Sequence, residues 1–131
     1  MNNFYNDKVQ DHTFSILVEN EPGVLARVIG LLSGRGYNID TLTVAEVDEE
    51  EGLSKITIVS SGTPMVLEQI RAQLERLVPV RAVSDLTVDG PSVERELALV
   101  KVAGEGESRV ESLRIADIFR ARAVDSTNTS F

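Results

Sequence analysis

Along residues 12–88 the spacing of apolar side chains switches between a period of two and a period of 3.6, and this alternation limits the fold more than any single motif. His12–Glu19 sets Phe14, Ile16 and Val18 on one side and Ser15, Leu17 and Glu19 on the other, which predicts a strand buried on at least one face. Leu25, Val28, Ile29 and Leu32 then fall at i, i+3, i+4 and i+7, one apolar stripe of a helix. Pro22 suits that helix's first turn, where no backbone donor is needed, and Gly34 and Gly36 supply its stop. Tyr37–Val47 is extended again. The step from Ile39 to Leu42 breaks strict alternation and predicts a bulge near Asp40–Thr41. "DEEEG" at 48–52 reads as a turn into a strand at Leu53–Ser60, with Ile56 and Ile58 on one face. Thr63 and Pro64 read as N-cap and first residue of a second helix, striped by Leu67, Ile70, Leu74 and Leu77. Pro79 ends it, and Val80–Val88 is the last strand.

The resulting order is β-α-β-β-α-β. Right-handed crossovers place both helices on one face of a single sheet, the ferredoxin-like arrangement of the α+β class. Residues 1–11 are then an N-terminal extension, 12–88 the first domain, and 89–92, "DGPS", a linker. Beyond it come a strand at Leu97–Val102, a turn in "GEGES", a helix at Val110–Phe119 and a strand starting at Ala123–Val124. Three elements with an open edge are too few to be stable alone. Residues 93–131 therefore read as a partial, truncated second ferredoxin-like domain.

A hydrophobic content of 42% supports a real core. With no cysteine, disulfides, thiolate nucleophiles and Cys-based metal sites are excluded. The start "MNNFYNDKVQD" lacks the basic and apolar pattern of a signal peptide, and no apolar stretch approaches membrane-spanning length, so a soluble cytoplasmic protein is expected. A formal charge of −8 argues against a nucleic-acid partner, which needs clustered Lys and Arg.

Catalytic chemistry is hard to find. The single histidine, His12, lies at the edge of the first strand, where a surface role is commoner than ligation. "EVDEEEG" lacks the spaced oxygen ligands of a calcium loop and reads as a solvated hairpin. "GRGYNI" and "GEGESR" do not continue to a third glycine, and the first follows a helix when a dinucleotide fingerprint opens one. The two carboxylates of "VERE" at 93–96 fit cross-strand ion pairing. No Ser or Thr stands beside a plausible base. No catalytic and no metal-binding residue is assigned.

One ligand site remains a candidate. At Glu21–Gly23 the chain turns into the first helix, whose leading N–H groups lack internal partners and favour an anion. Gly23 has no side chain to block a close approach. Asn20 and Asn38 each carry a donor and an acceptor, enough to read an ammonium and a carboxylate. The plainer reading, that Asn20 caps the helix and Asn38 sits in a turn, stands beside it.

Four stretches, "ILVENEPGVLARVIGLLSGRGYNIDTLTV", "LSKITIVSSGTPMVLEQIRAQLERLVPVRAVSDLT", "VERELALVKV" and "ADIFRARAVD", resemble the small, regulatory subunit family of acetolactate synthase (acetohydroxyacid synthase). The resemblance covers roughly residues 12–125. It implies an N-terminal ACT domain, the βαββαβ unit above, and a C-terminal ferredoxin-like domain that family members usually carry at greater length. Members of this family of branched-chain amino acid biosynthesis bind the catalytic subunit, raise its activity and confer feedback inhibition, typically by valine. The effector lies where two ACT domains meet. Carried over to this sequence, the resemblance implies that one subunit contributes Asn20, Gly23, Val24 and Leu25, and the other Asn38 and Ile39. The resemblance implies no cofactor in this chain, with thiamine diphosphate, Mg2+ and FAD in the catalytic partner. In the strand order 4-1-3-2, Tyr37–Val47 is an edge without proline or lysine to block pairing, so a homodimer through it is expected. The alternatives are a free-standing ACT sensor of another enzyme or of transcription, though no basic helix-turn-helix is visible, and a small ferredoxin-like enzyme, which the missing acid–base groups disfavour.

Overall fold

The computed structural model describes residues 8–131. Residues 1–7, most of the expected N-terminal extension, lie outside the described residues. The chain divides into two compact units that meet between Val93 and Glu94.

In the first unit the elements are β1 (Gln10–Glu19), α1 (Val24–Gly34), β2 (Asn38–Asp48), β3 (Leu53–Gly62), α2 (Pro64–Glu75) and β4 (Val80–Asp85). The strands form one antiparallel sheet in the order β2-β3-β1-β4. This is the expected α+β, ferredoxin-like βαββαβ order, with β2 on an edge. The core lies on the helix-covered face. Phe14, Ile16, Val18, Ile56, Ile58 and Val83 of the sheet meet Val24, Val28 and Leu32 of α1 and Leu67, Ile70 and Leu74 of α2. The bulge also forms: β2 pairs Ile39 with Ser60 and Thr41 with Val59, leaving Asp40 as the extra residue.

Local signals set most boundaries. Thr63 caps α2, accepting from the Val66 N–H, with Pro64 in the first turn. After α1, Gly36 takes a left-handed φ of 71°, its N–H donates to the Ser33 carbonyl, and the Tyr37 N–H donates to the Leu32 carbonyl at 3.0 Å. These two bonds make a Schellman stop. A Cβ added at Gly36 meets nothing within 4 Å, so Gly36→Ala costs only the left-handed backbone strain. The expected loss is about 1–2 kcal/mol, read as a lower urea midpoint at unchanged slope.

Several expectations are corrected. β1 begins at Gln10, two residues inside the expected extension, and β4 stops at Asp85, short of Val88. The α1 stripe is rotated: Val24, Val28 and Leu32 are buried, while Leu25 and Ile29 are each 38% exposed. Pro22 lies outside the helix, because Gly23 takes the N-cap position. His12 is no surface residue. It is 9% exposed, and its Nδ1 donates to Asp85 Oδ2 at 2.7 Å, with Gln10 Oε1 3.1 Å from Nε2. Asp85 Oδ1 accepts from the Thr87 N–H, and Thr87 Oγ1 from the Thr13 N–H. A polar pair buried at this level is hydrogen-bonded on both sides, as burial requires.

The second unit departs furthest from expectation. Its one helix, α3 (Gly106–Ile118), starts four residues early, absorbs part of "GEGES" and buries none of its residues. Neither Leu97–Val102 nor the segment from Ala123 forms a strand. Only a short antiparallel bridge joins Ala103 to Ser130, flanked by reciprocal bonds between Val102 and Phe131. Residues 93–96, whose two carboxylates were expected at strand spacing, are likewise outside any strand. A β-period sequence needs a neighbouring ladder to satisfy its backbone. Within this unit none is supplied along Leu97, Leu99 and Val100, which stay exposed. The helix is anchored by Arg109, which donates to Ser126 Oγ and the Thr127 carbonyl.

Candidate functional site

The turn into α1 is built around Gly23. It adopts φ 82°, ψ 0°, a left-handed conformation that only glycine takes without strain. No side chain caps the helix. Within the turn the Glu21 carbonyl accepts from the Val24 N–H at 3.3 Å, and the Gly23 carbonyl from the Arg27 N–H at 3.0 Å. The N–H groups of Leu25 and Ala26 between them meet no acceptor among the described residues. They are the orphan donors of a helix start, at the positive end of its dipole. The space over Gly23 is open, since an added Cβ would meet nothing within 4 Å.

Asn20 does not cap the helix. Its N–H donates to the Gly52 carbonyl at 2.7 Å, which ties the turn to the β2–β3 hairpin, and its Nδ2 donates to Glu46 Oε2 at 3.0 Å. That hairpin turns through Gly52, with the Glu51 N–H donating to Asp48 Oδ1. Asn38 starts β2, not a turn. Its Nδ2 donates to Asp40 Oδ1 at 2.7 Å and its carbonyl accepts from the Ser60 hydroxyl. Register places Asn38 beside Ser61 and Asp11, on the face away from the helices, whereas Ile39 turns inward and packs on the core. Val24 is buried beneath the helix start, and Leu25 faces outward.

The six residues thus form two groups. Asn20, Gly23, Val24 and Leu25 gather at the Glu46 end of β2, and Asn38 and Ile39 sit at its other end. Glu46 is eight residue steps along β2 from Asn38, about 26 Å at 3.3 Å per residue. One chain therefore does not bring the two asparagines onto one small ligand. Sequence reasoning missed Glu46 and Ser61, which the tertiary fold alone brings to their partners, and Asp40, which reaches back to Asn38 from the bulge of β2.

A second feature lies alongside. Leu25 and Ile29 of α1 and Val44 of β2, the last 47% exposed, are apolar residues left uncovered on the edge-strand side of the sheet's helical face.

Comparison with known proteins follows the same division of the chain. Residues 14–82 match the AHAS small subunit-like ACT domain, and residues 95–131 match the family described as the small subunit of acetolactate synthase. The chain belongs to the acetolactate synthase small-subunit family. It is 48% identical over 120 residues to a probable acetolactate synthase small subunit of Archaeoglobus fulgidus, covering 92% of this chain and 74% of that protein. Identity to the small subunit of Aquifex aeolicus is 49% over 119 residues, 90% of this chain and 61% of the relative. For the isozyme 3 small subunit of Escherichia coli it is 51% over 113 residues, 86% and 68%. The chain thus spans part of the length of each. The structure is similar to the crystal structure of the acetolactate synthase small subunit from Thermotoga maritima, with a TM-score of 0.73 and 30% identity over 92% of this chain and 74% of that one. The ACT domain from a GTP pyrophosphokinase of Chlorobium tepidum shares the fold, with a TM-score of 0.52 at 18% identity. Among the described residues no helix is long and apolar enough to cross a membrane.

Proposed function

We propose that this chain is a non-catalytic regulatory subunit that acts in the cytoplasm, binds and activates the catalytic subunit of acetolactate synthase, and transmits feedback inhibition by valine. The observation that carries the effector part is the uncapped start of α1. Two free N–H groups beside an open glycine make a place for a carboxylate. Thiamine diphosphate, Mg2+ and FAD belong to the catalytic partner in this reading, and this chain holds no cofactor.

The effector site is composite. Two copies pair their β2 edges across a two-fold axis, and an antiparallel pairing centred near Thr43 sets the start of one β2 against the end of the other. Asn38 and Ile39 of one copy then approach Asn20, Gly23, Val24 and Leu25 of the second. Asn38 begins its strand, so the ligand lies at the end of the paired strands, where it is reached from either face. Leu25, Ile29 and Val44 are covered by the same contact, which gives their exposure a reason.

The test is thermal unfolding with and without amino acids. A ligand that binds only the folded state adds about 2.7 kcal/mol at a hundredfold excess over its dissociation constant. That is a rise of about 10 °C in Tm for a chain of this size. Valine is expected to produce it and threonine to do less, because its hydroxyl meets an apolar pocket. No shift with valine, leucine or isoleucine at millimolar concentration would remove the sensor reading.

A further inference from the structure

Both candidate asparagines have their amides oriented by carboxylates of this chain. An amide can present either its oxygen or its nitrogen, and its neighbours decide which. A carboxylate only accepts, so the amide atom facing it is the nitrogen. Asn20 Nδ2 faces Glu46 Oε2 at 3.0 Å, and Asn38 Nδ2 faces Asp40 Oδ1 at 2.7 Å. Asp40 is anchored in turn, since its Oδ2 accepts from the Ser61 hydroxyl, which also lies 2.8 Å from Asp11 Oδ1. Both amides are exposed, and among the described residues no donor reaches either Oδ1. The two asparagines are therefore turned the same way, each with a carbonyl oxygen to the solvent. Donors come from a different place, the Leu25 and Ala26 N–H groups.

We propose that Glu46 and Asp40 are positioning residues that commit Asn20 and Asn38 to accepting, so that the effector's ammonium is read by two amide oxygens while its carboxylate goes to the helix N–H groups. This deepens the effector reading above and rests on it. The division of labour makes the site selective for a 2-amino acid over the matching 2-hydroxy acid. The hydroxy acid keeps the side chain and the carboxylate, but it offers one neutral donor where the ammonium offers three charged ones. Asp40 lies in the bulge of β2, where it is free of the ladder and able to fold back on Asn38 two residues earlier.

The experiment is a calorimetric titration of the full chain, parent and variants, with L-valine and with (S)-2-hydroxy-3-methylbutanoate. Asp40→Asn and Glu46→Gln keep size and remove the acceptor-only group, so the neighbouring asparagine loses its fixed orientation. Each is expected to weaken valine on the order of tenfold, the effect of one charge-assisted hydrogen bond. The hydroxy acid should change by less than about threefold, since it makes little use of the ammonium pocket. Asp40→Glu, which retains an acceptor, should restore much of the preference. Melting without ligand should stay close to the parent in all three, because these side chains are exposed. Equal loss for both ligands would mean a merely structural role and would overturn the proposal, as would unchanged or tighter valine binding. A parent that binds neither ligand would instead sink the effector reading itself.

Discussion

Gly23→Asp is expected to leave the protein folded and, in the regulatory role proposed above, to keep partner binding while abolishing the response to valine. The residue holds φ 82°, which Asp tolerates better than most side chains at a cost of order 1 kcal/mol. Nothing lies within 4 Å of the added Cβ, so no clash adds to that cost. A carboxylate at the N-cap returns a similar amount by accepting from the free N–H groups of α1 and by meeting the positive end of the helix dipole. Folding stability therefore changes little. The same contact removes the effector's place, because the new carboxylate takes the Leu25 or Ala26 N–H and repels the ligand's own. Loss of two charge-assisted bonds weakens valine by about a hundredfold or more. Asn38→Ala should give the same insensitivity from the other half of the composite site. Both variants are to be reconstituted, in a full-length background, with the catalytic subunit, and inhibition titrated against valine. Inhibition unchanged in both would leave the helix start as a structural turn and move the site elsewhere.

Thr43→Pro is expected to split the proposed dimer. Thr43 lies in the middle of β2, opposite Thr57 of β3, and its strand forms one edge of the sheet. Proline removes a donor and its ring crowds the neighbouring ladder, so a continuous sheet across two copies cannot pass through it. Sedimentation velocity at micromolar concentration should show the parent as a dimer and the variant as a monomer. Val44→Lys provides an independent check, since it charges the exposed apolar strip without touching the backbone. A dimeric Thr43→Pro variant would place the interface elsewhere. A monomeric parent would rule out the composite site altogether.

The amino-acid order alone determined the features that depend on a few adjacent residues. The βαββαβ order, the Thr63 cap, the glycine stop after α1 and the bulge at Asp40 each follow from local stereochemistry or a short apolar period, which no distant contact has to ratify. The family was legible for the same reason, in continuous stretches such as "RVIGLLSGRGYNI" and "ERELALVKV". Tertiary structure decided the rest. Leu25 and Val24 fit an apolar stripe equally well, and only packing against the sheet chose Val24 for the core and left Leu25 outside. His12 looked like an edge residue until β4 brought Asp85 beside it from 73 positions away. Asn20 had every local reason to cap α1, yet the hairpin placed Glu46 and the Gly52 carbonyl within reach first. The strand-like run through Leu97, Leu99 and Val100 stayed unpaired because a strand is completed by its neighbour, and period-two spacing encodes the need for that neighbour without supplying it.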